Sequence, residues 1–364
     1  MVAAMDYLAM GGFEAACRVD GLEAGHRAGR LHGHSYLARL RTSGADLALP
    51  FPGGETGLLD ERLKAALQPL DYRLLNELLA NPTDENLARW IRDRLALSGP
   101  LTVGVRSTAD QGVDLDRDDH AHIWRSFRFE AAHRLPNVPE GHPCGRMHGH
   151  GFEVILHADQ SVRGAAMGLD YEQLQHHWQP LHERLHHHCL NDIEGLANPT
   201  SEMLCGWIWR QLKPRLPELS WVTVYETHSA GCHYDGEHYR IWKELRFESA
   251  LRLARAPADD SRAGLFGHSY VLRLHLTAPL DQVLGWTVDY GDVKRLFRPV
   301  YDRLDHHLLN ELPGLADADS ASVLHWVRTE MADRLAPLDR IDLFERPGTG
   351  ASLHWGETGP ALPL

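Results

Sequence analysis

The chain has 364 residues and a formal charge of −13 with neutral histidines, enough for two or three domains and too acidic for nucleic acid or an anionic membrane as its main partner. No stretch approaches about 18 uninterrupted apolar residues, so no membrane-spanning helix is expected, and Met1 to Gly12 lacks the basic-then-apolar pattern of a secretory leader. The 25 histidines point to metal or proton chemistry, and five cysteines without a framework spacing predict reduced thiols in a cytoplasmic protein.

Read from the N-terminus, one unit occurs three times. Phe13-Glu14-Ala15-Ala16, Gly33-His34 and Leu75-Asn76-Glu77 mark the first copy, residues 1–124. Phe129-Glu130-Ala131-Ala132, Gly149-His150 and Leu190-Asn191-Asp192 mark the second, 125–241. Phe247-Glu248-Ser249-Ala250, Gly267-His268 and Leu309-Asn310-Glu311 mark the third, 242–356, followed by a Gly- and Pro-rich tail, 357–364. A repeat of roughly 117 residues lets the copies be compared position by position.

In the middle copy, Ser126 to Leu135 reads as a strand, Pro136 to Pro143 as a loop and Gly151 to Ala158 as a second, alternating strand. Asp170 reads as an N-cap for a helix from Tyr171 to about Leu185, with Leu174, Trp178, Leu181 and Leu185 at helical spacing. Asn198 to Glu202 leads into a second helix carrying Met203, Leu204, Trp207, Ile208 and Leu212. Trp221 to Thr227 and Glu237 to Trp242 are the expected third and fourth strands. Each unit is thus an α+β sheet of four strands with two helices on one face. Such a sheet has two open edges, and three of them in one chain can close into a twelve-stranded antiparallel barrel, a pseudo-trimer with its helices outside.

His148 and His150, two apart on a strand, point to one face, and His133 lies on the adjoining strand. Three imidazoles with an open fourth position suit a catalytic zinc; the alternative is three unconnected surface or core histidines. The matching positions in the first copy are Cys17, His32 and His34, a set still able to hold zinc, and in the third Leu251, Phe266 and His268, which is not. Cys144 lies just before the histidine pair, where a dication and Arg146 would favour its thiolate; Ala28 and Arg262 take its place in the outer copies. Read as structure alone, Cys144 is an inert small residue.

FEAAHRL, CGRMHGH, NPTSE and YET, with Leu190-Asn191-Asp192 between them, resemble the 6-pyruvoyl-tetrahydropterin synthase family, and CxxxHGH most resembles its bacterial 6-carboxy-tetrahydropterin synthase branch. The resemblance covers about Ser126 to Tyr239; the outer copies share the plan and a few landmarks. It implies the tunnelling fold, in which trimers close a twelve-stranded barrel and often stack in pairs, so two copies of this chain are expected to form a homodimer. It also implies zinc on His133, His148 and His150, Cys144 as the catalytic thiol, and Glu226 as the carboxylate holding the N–H edge of a pterin, against the plain alternative of a solvated strand-end group. Thr200, Ser201 and Glu202 would help hold the ring, and Arg134 and Arg146 the triphosphate.

The family's LDHH segment reads Leu185-His186-His187-His188 here, with histidine in the aspartate position. The third copy keeps Leu304-Asp305-His306-His307 and has Glu345 as its anchor; the first has Asp71, Tyr72 and Arg73, with Arg106 read at the anchor position. The implied site is therefore composite, with metal and thiol from the middle unit and a proton relay from Asp305 and His306 or from His187. The implied reaction is conversion of 7,8-dihydroneopterin triphosphate to 6-carboxy-tetrahydropterin, as on the route to queuosine. The alternatives are a 6-pyruvoyl-tetrahydropterin product, or a pterin-binding protein that has lost catalysis through His186.

Overall fold

The computed structural model describes residues 3–22, 24–47, 49, 51–99, 101–160 and 168–356; the expected tail lies outside them. The first unit supplies β1 (Ala4–Cys17), β2 (His32–Ser43), α1 (Glu55–Leu67), α2 (Asp84–Arg92), β3 (Leu101–Thr108) and β4 (Gln111–Leu115). The second supplies β5 (Ala121–His133), β6 (His148–Gln160), α3 (Tyr171–Leu185), α4 (Ser201–Leu212), β7 (Leu219–Thr227) and β8 (Ala230–Tyr234). The third supplies β9 (Tyr239–Leu251), β10 (Phe266–Thr277), α5 (Tyr290–Leu304), α6 (Ser320–Met331), β11 (Leu338–Arg346) and β12 (Thr349–His354).

Each of these strands pairs antiparallel with its neighbours in sequence, and β12 returns to pair with β1. The expected twelve-stranded barrel is therefore present within one chain, and closure removes the edges that each sheet would expose alone. Two-residue strands, Arg73–Leu74 and His307–Leu308, lie parallel on β1 and β9.

The fourth strand of the middle unit is not where its sequence pattern suggested. It is Ala230–Tyr234, whereas Trp242 belongs to β9, the long opening strand of the next unit. The expected unit limits at 124 and 241 fall inside continuous strands, because a hairpin joins β4 to β5 and another joins β8 to β9. Strand composition carries no mark of that change of unit.

Helix α3 has the expected bounds. Asp170 and Gln173 form a reciprocal capping box at its start, satisfying two N–H groups that lack helical partners. Its stripe of Leu174, Trp178, Leu181 and Leu185 is buried, with Trp178 stacked on Phe127 at 5.2 Å between ring centres. Burial of each such side chain contributes about 1.5–3 kcal/mol. The strand faces turned away from the helices hold buried polar groups. Arg340 grips Asp342 through two bonds of 2.7 and 3.0 Å, and His275 meets the same carboxylate at 2.9 Å.

Candidate metal centre and active-site seam

The ladder between β5 and β6 sets His133 opposite His148 and Ala131 opposite His150. All three imidazoles share the face covered by the helices, with ring centres 4.5 to 5.1 Å apart. Nδ1 of His133 donates to the Pro199 carbonyl at 3.0 Å, and Nδ1 of His148 to the Arg146 carbonyl at 2.7 Å. Those bonds fix the tautomers and turn both Nε2 lone pairs into the cluster. Nε2 of His133 is buried without a hydrogen-bond partner, and burial holds this imidazole down at about 4. Burial, then the neighbouring His148, also lowers His150. Converging imidazoles with an unsatisfied buried nitrogen fit a zinc ion, which binds deprotonated nitrogen.

Glu226, near the end of β7, stands 3.5 Å from Nε2 of His150 and 3.8 Å from that of His133. The four side chains form one group with ligand atoms within 4.8 Å of one another. Burial, reinforced by Glu202 and Asp289, pushes the Glu226 carboxyl up to about 7. A dication beside it, or N–H donors from a ligand, would favour the carboxylate.

Cys144 lies in a single 3-10 turn, Pro143–Gly145, whose start is capped by Nδ1 of His142 accepting from the Cys144 N–H at 3.2 Å. The Cys144 carbonyl accepts from the Leu135 N–H at 2.8 Å, tying the turn to the segment after β5. Burial first, then Glu226 and Asp289, pushes the thiol up. The protein's own groups thus oppose the ease of ionisation that the sequence suggested. Arg146 is exposed, and the contact it makes here is through its backbone carbonyl.

The third unit closes this site. Asp289, the N-cap of α5, meets Nε2 of His142 at 3.2 Å. Tyr290 Oη lies 2.9 Å from Ser201 Oγ and donates to the Gly231 carbonyl at 2.8 Å. Glu202 accepts from the Thr287 N–H at 2.8 Å, and Thr200 donates to the Gly285 carbonyl. Thr200, Ser201 and Glu202 therefore hold the seam between units. The same seam recurs twice more: Tyr171, at the start of α3, donates to Asp84 at 2.7 Å, and Thr56, in the first turn of α1, donates to Glu345 at 3.2 Å. Asp289, Thr287 and Tyr290 carry no motif of their own, and only the repeat hints that one unit completes another.

Asp305 and His306 do face each other, Oδ2 to Nδ1 at 3.0 Å, with Asp305 Oδ1 accepting from the Glu248 N–H at 3.1 Å. They stand just past the C-terminus of α5, however, whereas its N-terminal cap Asp289 meets His142, two residues before Cys144. Fifteen helical residues separate those ends by about 22 Å, so one chain does not bring the pair to Cys144. In the middle unit Nδ1 of His186 accepts from the Glu130 N–H at 3.1 Å, as the Asp305 carboxylate does from Glu248. His187 stacks on His186 with ring centres 3.7 Å apart and meets the Glu130 carboxylate at 3.4 Å. Glu130, which the sequence did not single out as a functional residue, places a carboxylate beside His187. Glu130 and His187 line an open depression with Gly149, His150 and Gly151.

Strand register corrects the first-unit anchor. Three residues beyond the second histidine position, Leu37, Glu153 and Val271 pair with Arg106, Tyr225 and Phe344. Arg106 thus matches Tyr225, and Ser107 matches Glu226 and Glu345. Ser107 donates to Asp84 at 2.7 Å, and Asp84 matches Ser201 at the helix start.

The sequence profile of the 6-pyruvoyl tetrahydropterin synthase family matches residues 9–108, 122–237 and 240–355. The chain is 40% identical over 119 residues to a 6-carboxy-5,6,7,8-tetrahydropterin synthase of a Synechocystis strain, a match spanning 31% of this chain and 91% of that protein. It is 34% identical over 102 residues to a putative 6-carboxy-5,6,7,8-tetrahydropterin synthase of Archaeoglobus fulgidus, spanning 28% and 84%. Among solved structures, 6-pyruvoyl tetrahydropterin synthase of Caenorhabditis elegans aligns with 32% of the chain and 95% of its own at 19% identity and a TM-score of 0.30.

Proposed function

Because the chain belongs to the 6-pyruvoyl tetrahydropterin synthase family, we propose that it is a lyase acting on 7,8-dihydroneopterin triphosphate, giving 6-carboxy-tetrahydropterin at a single centre between the second and third units. The observation that carries this reading is the convergence of His133, His148, His150 and Glu226 on one point, with Cys144 near enough for Glu226 to raise its thiol. The identity to 6-carboxy-tetrahydropterin synthases supports the choice of product.

His133, His148 and His150 would hold zinc, which when bound supplies Lewis acidity to the hydroxyl oxygens of the substrate side chain. Glu226 accepts hydrogen bonds from the N–H edge of the pterin, a charge-assisted contact that orients the ring. Thr200, Ser201 and Glu202 keep that wall in place by fixing the 285–290 segment. The Cys144 thiolate removes a proton from the side-chain carbon. His187, paired with Glu130, handles the second proton. Arg146 and Arg134 meet the triphosphate with planar donor groups. Asp305 and His306 serve a thiol only across a dimer of stacked barrels, given their place at the far end of α5. Normal turnover by Asp305→Asn would remove them from the reaction.

Incubating the purified chain with 7,8-dihydroneopterin triphosphate tests the reading. Release of acetaldehyde with a 6-carboxy product supports it, and a 6-pyruvoyl product reassigns the outcome. Pterin binding without turnover makes the chain a binding protein, the reading that His186 favours.

A further inference from the structure

The first-unit seam keeps three side chains able to ligate a metal, with a different donor set from the middle unit. Cys17 stands opposite His32 at the end of the β1–β2 ladder, with Ala15 opposite His34, so a sulfur takes the place of one imidazole. Sγ of Cys17 lies 3.6 Å from Nε2 of His32 and 3.3 Å from the Tyr36 hydroxyl. Nδ1 of His32 donates to the Arg30 carbonyl at 2.6 Å, which leaves the Nε2 lone pair facing the sulfur. Ligand atoms of Cys17, His32 and His34 all lie within 4.8 Å of one another. They open on a cavity of about 430 Å³ whose walls come from both units, including Asp84 and Tyr171.

We propose that this seam is a second metal site, in which the Cys17 thiolate, His32 and His34 hold one thiophilic divalent ion with its remaining position open to the cavity. One thiolate and two imidazoles are a ligand set for a borderline-soft ion such as zinc. Tyr36 is placed to donate a hydrogen bond to the bound sulfur, the kind of outer contact that fixes a ligand in place. The thiolate adds a negative charge that the three-histidine set lacks, so the ion here polarises its ligand less. Ala28 occupies the position of Cys144, and no thiol remains to act as a base. The site binds an ion and a ligand without turning the ligand over, and it stands or falls independently of catalysis in the middle unit.

Cobalt(II) titrated into the metal-free, reduced full chain reads this directly, because a thiolate ligand adds a sulfur-to-cobalt charge-transfer band in the near ultraviolet that imidazoles alone do not give. The wild type should bind two equivalents and show the band. Cys17→Ser should bind one and lose it. His133→Ala should bind one and keep it, although its middle site is gone. A single equivalent without the band in the unmodified chain would overturn the proposal whatever the variants do. So would a band that survives Cys17→Ser, since it would then arise from another thiol such as Cys144.

Discussion

Cys144 and Glu226 share one site and should fail differently. If Cys144 is the base, as proposed, Cys144→Ala should lower turnover by about a hundred- to ten-thousandfold, with pterin affinity, measured by fluorescence titration, unchanged. Glu226→Gln should weaken that affinity instead; equal loss of affinity in both variants would contradict the assignment. The thiol also reports on the ion. Burial, Glu226 and Asp289 raise its pKa, and a cation bound at the histidine cluster would oppose them. Chelation should therefore slow alkylation of Cys144 by iodoacetamide near pH 8, on the order of tenfold for each unit that its pKa rises. An unchanged rate would separate the thiol from the metal site.

At the scale of elements, the sequence exposed what is local and concealed what is not. The α3 stripe and its Asp170 cap follow from spacing within 16 residues, and His148 and His150 follow from strand alternation. The Asp289 cap of α5 is as local as that of Asp170, but the contacts of Asp289 with His142 and of Tyr290 with Ser201 cross a seam to another unit and leave no local signal. Arg106 was misread for a sharper reason. A shift of one residue along a strand turns a side chain to the opposite face, and only the pairing of Leu37 with Arg106 fixes Ser107 as the match to Glu226. Asp84 at the start of α2 now carries the carboxylate of that seam. Burial raises it to about 7 from the ordinary 3.8. The folded state therefore binds more protons than the unfolded chain between about pH 4 and 7, and this group's contribution to stability falls as pH rises through that window. Asp84→Asn should gain on the wild type by up to about 1.4 kcal/mol per pH unit. Urea unfolding of both proteins at pH 5 and pH 7 checks it, and a constant difference would refute it.

The whole molecule is a trimer's architecture written into one chain, and closure puts charge inside the barrel. Asp342 is held well below its usual range against the penalty of burial, with Arg340 the largest favourable cause and His275 next, while burial keeps His275 down at about 4. Asp342→Ala would leave Arg340 buried without this partner and should cost about 3–5 kcal/mol, read by chemical denaturation; a loss under 1 kcal/mol would mean that water reaches the inner face. Fusion also frees the copies to diverge: one keeps three imidazoles and the thiol, one exchanges an imidazole for sulfur, and one has Leu251 and Phe266 where ligands stood. Confinement of the chemistry to the middle seam is most directly tested by acetaldehyde release from 7,8-dihydroneopterin triphosphate, compared in the full chain, His148→Ala and His34→Ala. The account predicts product from the full chain and from His34→Ala, and none from His148→Ala. Turnover that survives His148→Ala, or that is lost in a folded His34→Ala, would contradict it.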